Sequence, residues 1–415
     1  MGDTIYLQFD GLKAPVQLIR AQSLLPLLAK ALPNWPVHMH QSPPDTPAFI
    51  RIVGVESNMF AVAVTAEKTA PRRWNAVNAI CDLISEMAWA KLRSQPELLC
   101  VHGAAVEFCE RLVLFPNTRR AGKSTLAAVL ARLGQTVFTD DFLPIEIARN
   151  RVISGLATGV APRIRLPIPP EFSHAFKAWV AADSGPANPQ YKFLSDAPLA
   201  KAGAARPLGA IVTLLRRDDP TPPRLEPISR AAAMEAMIVQ NFARAIESGA
   251  ILKTVEALTA SLPAYQLTYH SGEDAAAYLQ AHTAFSGLPV AKLAPDIVMR
   301  PAPLDLGQAG AHKFDSAQPH RQCAGVTEIK TDDAHFLTDK NGMAIHRLNP
   351  GSSAIWRLLA EPIGLDEIVA VLCAAFPDIA PAQIRADSLA ALQQFAHSRL
   401  IEAAPAAALQ TAAAR

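Results

Sequence analysis

The segment that most constrains this chain is Leu114-Phe-Pro-Asn-Thr-Arg-Arg-Ala-Gly-Lys-Ser-Thr125, which runs directly into the helix-forming stretch Leu126-Ala-Ala-Val-Leu-Ala-Arg-Leu133. A strand, a tight loop ending in Gly-Lys-Ser-Thr and a helix aim backbone N–H groups and a helix N-terminus at one anion. The segment therefore predicts a cradle for nucleotide phosphates built from Asn117, Thr118, Arg119, Arg120, Ala121, Gly122, Lys123, Ser124 and Thr125. Lys123 would reach the outer phosphates and Ser124 would ligate magnesium. The loop departs from the pattern G-x-x-x-x-G-K-[ST] at its first position, where Asn117 stands for glycine. Asn is the residue after glycine that best tolerates a left-handed backbone, so the turn can still close. Arg119 and Arg120 add charge that suits an anion and crowds the loop. The bland alternative is that Gly-Lys-Ser-Thr merely opens an amphipathic helix.

Residues 136–139 read as a short strand ending in Asp140-Asp141. In sheets of this kind the carboxyl ends of strands face the nucleotide, so one aspartate can hold magnesium while its neighbour accepts a proton from an attacking hydroxyl. A solvated turn would also use two acids. His102-Gly103 opens the strand before the loop, and on composition alone a lone histidine there is a hydrogen-bonded structural residue.

A chain of 415 residues is long enough for two or three domains. Net charge of +2 and a charged fraction of 18% give no sign of a nucleic-acid or membrane surface. No run is long and apolar enough to span a bilayer, and no basic segment precedes an apolar one at the N-terminus. Five cysteines without a Cys-x-x-Cys pair read as buried thiols in a reducing compartment, so the chain is expected in the cytoplasm. The sequence leaves a homo-oligomer open.

Along the chain, residues 1–94 read as a β-rich section closed by an amphipathic helix over 74–91, with Val77, Ile80, Ile84, Met87 and Ala88 at helical spacing. Strands are expected over 98–108 and 111–115, joined by a Cys109-Glu110 turn, and over 208–215 and 264–269. Gly134 stands where a helix end expects glycine, and 231–243 reads as helix. Residues 155–205 show weak periodicity and read as loops over the core. A linker is expected over 301–324. Beyond it, strands at 327–338 and 343–348 flank Lys340-Asn-Gly342, and Asn349-Pro350 opens the first of three helices (350–360, 365–376, 381–398). The Ala-rich stretch 403–415 reads as a frayed tail.

Taken together, His102-Gly-x-x-Val106, a hairpin, the Gly-Lys-Ser-Thr loop and a strand ending in Asp140-Asp141 resemble the HPr kinase/phosphorylase superfamily, in its divergent members. The resemblance covers roughly 95–300 and implies an α/β fold related to phosphoenolpyruvate carboxykinase, with ATP and magnesium as cofactors. It implies that His102 assists the acceptor, that Lys123 and Ser124 bind phosphate and metal, and that Asp140 and Asp141 divide magnesium binding and general base between them. Of the two, Asp140 is the metal ligand expected with Ser124, though the division stays open. Pro162-Arg-Ile-Arg-Leu166 loosely matches the family's arginine-bearing strand, so Arg163 or Arg165 would contact the phosphoryl group. Two loop glycines of the family are replaced, by Asn117 and Arg120.

Residues 325–402 carry a second resemblance. Leu348-Asn-Pro-Gly-Ser-Ser-Ala-Ile-Trp356 and Asp366-Glu-Ile-Val-Ala-Val-Leu372 are similar to PqqD-like winged-helix domains, which bind leader segments of ribosomally made peptides. Trp356 is expected in the core. The last helix mixes Arg385, His397 and Arg399 with Asp387, which argues against a DNA surface. Joined, the two resemblances imply an ATP-dependent kinase for a hydroxyl side chain of a peptide or protein held by the C-terminal domain. The alternatives are a degenerate nucleotide-binding peptide chaperone and a small-metabolite kinase.

Overall fold

The computed structural model describes residues 3–67, 69–116, 121–241, 246–294, 297, 314–339 and 344–404. The chain is a mixed α/β protein of two compact units, Met1–Ala245 with Ala257–Asp296, and Ile246–Glu256 with Ile297–Arg415. None of the described helices is long and apolar enough to cross a membrane.

The first unit begins with six strands in the order Val37–His40, Thr4–Phe9, Val16–Ile19, Ile50–Glu56, Met59–Val64 and Arg72–Asn75. Ile50 and Ile52 are buried while Arg51 between them is exposed, the period of two of a half-covered sheet. The helix Ala76–Ser94 covers that sheet and buries Ile80, Leu83, Ile84 and Met87. It starts where Asn75 Oδ1 accepts the Asn78 N–H at 3.0 Å, a cap for one of the unpaired donors of the first turn.

A second sheet of nine strands has the path Val137–Thr139, Ala104–Phe108, Arg111–Phe115, Ala205–Arg216, Ile153–Leu156, Phe142–Ile147 and Leu99–His102. Ala264–Tyr269 runs parallel to Ala205–Arg216 and carries Arg224–Pro227 on its other side. Ala205–Arg216 is also parallel to Arg111–Phe115, the strand that leads into the Gly-Lys-Ser-Thr segment. The helix Lys123–Arg132 packs Leu126, Val129 and Leu130 into a core with Phe115, Val137, Phe176 and Leu267. Past its end, Gly134 takes φ +90° and its N–H donates to the Ala131 carbonyl at 2.9 Å, the glycine-assisted stop expected there.

Several expectations need correction. Residues 98–108 are not one strand. Leu99–His102 pairs with Phe142–Ile147, whereas Ala104–Phe108 pairs with Arg111–Phe115 and Val137–Thr139. Gly103 makes the crossing, because a Cβ there would lie 2.9 Å from the Phe115 carbonyl oxygen. Residues 155–205 are not loops over the core. They hold the antiparallel pair Arg163–Arg165 and Tyr191–Phe193 and the helix His174–Ala182, and 153–162 are buried throughout. Elements of three or four residues are too short to display a period. Cys109 and Glu110 do form the turn, with φ of 46° and 63°, as two-residue hairpins of the I′ type require. That turn exposes Cys109, so the thiols are not all buried; Cys100 is buried and Cys81, Cys323 and Cys373 are half-buried.

The second unit contains a three-stranded antiparallel meander, Thr327–Lys330, His335–Thr338 and Ile345–Leu348. The stretch expected as one strand turns back at Thr331, whose Oγ1 accepts the Ala334 N–H at 3.0 Å. Residues 340–343, with the Lys340-Asn-Gly342 turn, lie outside the described residues, as do 298–313 and the tail from 405. The helices Pro350–Leu358, Leu365–Ala375 and Pro381–His397 follow, the first capped by Asn349 Oδ1 on the Ser352 N–H at 2.7 Å. Trp356, 1% exposed, packs edge-on to Phe395 among Leu337, Leu372 and Leu392, as a core residue should.

Candidate functional site

The helix Lys123–Arg132 begins without any capping side chain, because its N-cap is Gly122 in the left-handed region at φ +93°. A helix start of this kind turns its first-turn amides and the positive end of its dipole toward an anion. Glycine is required there twice over. A Cβ would meet the Tyr269 hydroxyl at 2.3 Å, and that hydroxyl donates to the Ala121 carbonyl at 3.2 Å. Tyr269 ends a strand parallel to the sheet's long central one, is 2% exposed, and has its phenol pushed up to about 12 by burial. Lys123 is 6% exposed, and Ser124 and Thr125 are half-buried.

Asp140 and Asp141 follow the strand Val137–Thr139 and face different partners. The Asp140 Oδ2 accepts the Arg163 N–H at 3.0 Å, and the Ser124 hydroxyl lies 3.5 Å from the Asp140 carbonyl oxygen. Asp141 Oδ1 is 3.2 Å from His102 Nδ1, and its Oδ2 is 3.6 Å from Arg163 Nη2. Thr139 Oγ1 accepts the N–H groups of Asp141 and Phe142, both at 3.2 Å, and the Gly103 N–H donates to the Asp141 carbonyl at 3.0 Å. The adjacent acids are thus fixed by backbone as well as by side chains.

Their electrostatics diverge. Burial pushes the Asp140 carboxyl up, with Arg163 countering only in part. Burial acts on Asp141 as well, but the His102 hydrogen bond and the charges of Arg163, His102 and Lys123 outweigh it and hold that carboxyl below its usual range. Arg163 is opposed by burial, yet Cys81, Asp141 and Asp140 together keep it more firmly cationic than an ordinary arginine.

The structure therefore brings together His102, Ser124, Asp140, Asp141 and Arg163, with Lys123 near enough to act on Asp141 electrostatically. Arg165 is separated from them. It is exposed and lies over the Tyr191 ring at 5.4 Å, the same ring that carries Arg163 at 4.9 Å. Asn117, Thr118, Arg119 and Arg120 lie outside the described residues. Sequence reasoning missed Thr139, Cys81, Tyr191 and Tyr269. For Thr139 and Tyr269 a signal existed, since each is a polar residue at the last position of a strand. Among the described residues no group of three or more His, Cys, Asp or Glu could hold a metal ion. The oxygen pair Ser124 and Asp140 is a different type of donor set, one that a hard cation completes with water and phosphate.

Residues 334–401 match the family model of coenzyme PQQ synthesis protein D (PqqD), so the C-terminal region carries a PqqD domain, as read from its residues. Two solved structures are similar to parts of the chain. TbiB1 in complex with the TbiA(beta) leader peptide is 26% identical, with 20% of this chain and 94% of that one covered and a TM-score of 0.19. The Hpr(Ser) kinase/phosphatase from Coxiella burnetii is 15% identical, with 44% of this chain and 86% of that one covered and a TM-score of 0.24. No curated protein matches this chain.

Proposed function

We propose that the protein is an ATP-dependent kinase that phosphorylates a hydroxyl side chain of a peptide, which its PqqD domain recruits during peptide modification. The observation that carries this reading is the position of Asp141. It is held ionised between His102 and Arg163, beside the uncapped start of the helix that carries Lys123 and Ser124.

The residues suit a magnesium nucleotide. Gly122 and the first turn of its helix present amides to phosphate oxygens, and Lys123 adds a buried cation. Ser124 and Asp140 would hold the metal, and a cation there would offset the burial that pushes the Asp140 carboxyl up. When bound, magnesium neutralises the charge that develops on the phosphoryl oxygens. Asp141 accepts a hydrogen bond from the acceptor hydroxyl and takes its proton as the oxygen–phosphorus bond forms and the bond to the departing diphosphate breaks. A depressed pKa suits a loose transition state, in which orienting the hydroxyl matters more than base strength. His102 fixes the Asp141 rotamer, and Arg163 offsets charge on the transferring group.

In the PqqD domain the strand Ile345–Leu348 is a sheet edge whose far side has no strand partner among the described residues. An extended peptide can add there as a further strand. A groove of about 730 Å³ near it is lined by Leu348, Pro350, Leu358, Leu372 and Phe376 among others. Such recruitment raises the effective concentration of an acceptor hydroxyl.

The replaced glycines at Asn117 and Arg120 favour a second reading, a peptide chaperone that binds nucleotide without turnover. Incubating candidate peptides encoded beside the gene with protein, ATP and magnesium separates the two by mass spectrometry. The kinase reading expects a gain of one phosphoryl group, lost in Lys123→Ala. Peptide binding that persists in Lys123→Ala, with no mass gain even in the natural protein, supports the chaperone.

A further inference from the structure

Arg163 reaches Asp140 through its backbone N–H at 3.0 Å and Asp141 through Nη2 at 3.6 Å. Its strand pairs antiparallel with Tyr191–Phe193, and the turn before that partner strand is bonded to the N-terminal section through Asn188. Asn188 donates through Nδ2 to Asn75 Oδ1 at 3.2 Å and to Asn78 Oδ1 at 3.0 Å, the capping turn of the helix Ala76–Ser94. Its own Oδ1 accepts the N–H groups of Gln190 and Tyr191, both at 2.8 Å. The half-buried amide thus uses donor and acceptor ends at once, joining residues 110 and 113 positions away in sequence to the turn that presents the Tyr191 ring.

That ring carries two guanidinium groups, Arg163 at 4.9 Å and Arg165 at 5.4 Å from its centroid. Two like charges over one ring repel, so their placement needs a platform that is held from behind. The same helix supplies Cys81, which hydrogen-bonds Arg163. The N-terminal section thus reaches the arginine twice, directly through Cys81 and indirectly through Asn188 behind Tyr191.

We propose that Asn188 is a positioning residue, the tether through which the N-terminal helix sets the Tyr191 platform and so aims Arg163 at Asp141 and the transferring group. The inference rests on the phosphoryl-transfer reading above. It makes the N-terminal section part of the catalytic apparatus.

Asn188→Asp keeps the acceptor for Gln190 and Tyr191 but loses the donors to Asn75 and Asn78, and Asn188→Ala loses both. Misplacing a charged group by about 1 Å can cost up to about a hundredfold in rate, so a partial shift of Arg163 predicts a fall in kcat of about tenfold in each variant. The KM for ATP should stay within about twofold, because the bonds that Asn188 loses run to Asn75 and Asn78 and to no residue of the helix Lys123–Arg132. A full rate in Asn188→Asp, or a parallel loss of ATP binding and turnover, overturns the proposal. If the natural protein transfers no phosphoryl group, the kinase reading fails, yet amide hydrogen exchange over 189–194 still decides the tether. Faster exchange in Asn188→Asp than in the natural protein supports it, and unchanged exchange overturns it.

Discussion

Both units contain a histidine paired with a carboxylate, and the two pairs are built for opposite ends. In the first unit, His102 and Asp141 keep 32% and 30% of their side chains exposed, and Asp141 also lies 3.6 Å from the Arg163 guanidinium. In the second, His335 has a side chain only 4% exposed, with Nε2 2.8 Å from Glu328 Oε1 and Nδ1 2.9 Å from Ser353 Oγ. Glu328 also accepts the Trp356 indole N–H at 3.2 Å, so the network welds the meander to the first helix of the PqqD domain. Burial lowers the His335 pKa despite Glu328, whereas the neighbours of Asp141 overcome burial. A pair that can still exchange protons with something outside is a candidate for chemistry. A pair whose histidine is sealed in the core, with only its Glu328 partner 30% exposed, serves the fold.

The sharpest break of this comparison is Asp141→Asn. General-base and orienting carboxylates contribute about 10²–10⁴-fold, so phosphoryl transfer measured by peptide mass should fall by about that factor. Thermal unfolding of the second unit should not move. A mutant that keeps its rate would place Asp141 with the structural acids.

His335→Ala should do the reverse. It leaves the buried Ser353 hydroxyl without its His335 partner, while Glu328 keeps Trp356 and Lys330, a loss of about 1–3 kcal/mol, read as a lower denaturation midpoint of the second unit. ATP affinity in the first unit should be unchanged. If stability holds, the buried pair is not the weld described above.

The smallest effect is on pH dependence. His320, His335 and His346 all have pKa values lowered mainly by burial, so the folded second unit favours their neutral forms. A histidine depressed in the folded state contributes stability that is present above its unfolded pKa, about 6.5, and is lost as pH falls through the folded value. Hydrogen exchange of the amides in His335–Thr338 should therefore quicken as pH drops below about 6.5, after correction for the intrinsic rate. His335→Gln should flatten part of that slope, and an identical slope would remove His335 from the explanation.

The contrast between the halves also explains what could be read from the sequence. In the second unit Asn349-Pro350 cap and start a helix and Trp356 is buried as expected, because caps and helical periods are local signals. In the first, the placement of Lys123 and Ser124 at a helix start and of Asp140 and Asp141 just past a strand end was legible for the same reason. The support of the site was not. Gly103 is glycine because another strand's carbonyl crowds it, and Asn188 matters through contacts to Asn75 and Asn78. Tyr269 acts on Ala121 from 148 positions away. Such residues have no pattern of their own, since their roles are set by chain crossings that no window of sequence contains. The buried stretch 153–162 misled for a related reason, its short elements showing no period although they line the core.

The central claim is that the two units act on one peptide. It is tested most directly by comparing transfer of the ATP γ-phosphoryl group to two acceptors, one carrying the segment bound by the PqqD domain and one lacking it. Intramolecular presentation predicts kcat/KM higher by about 10²-fold or more for the tethered acceptor, with both activities lost in Asp141→Asn. Equal rates for the two acceptors, or transfer that survives Asp141→Asn, would contradict the account.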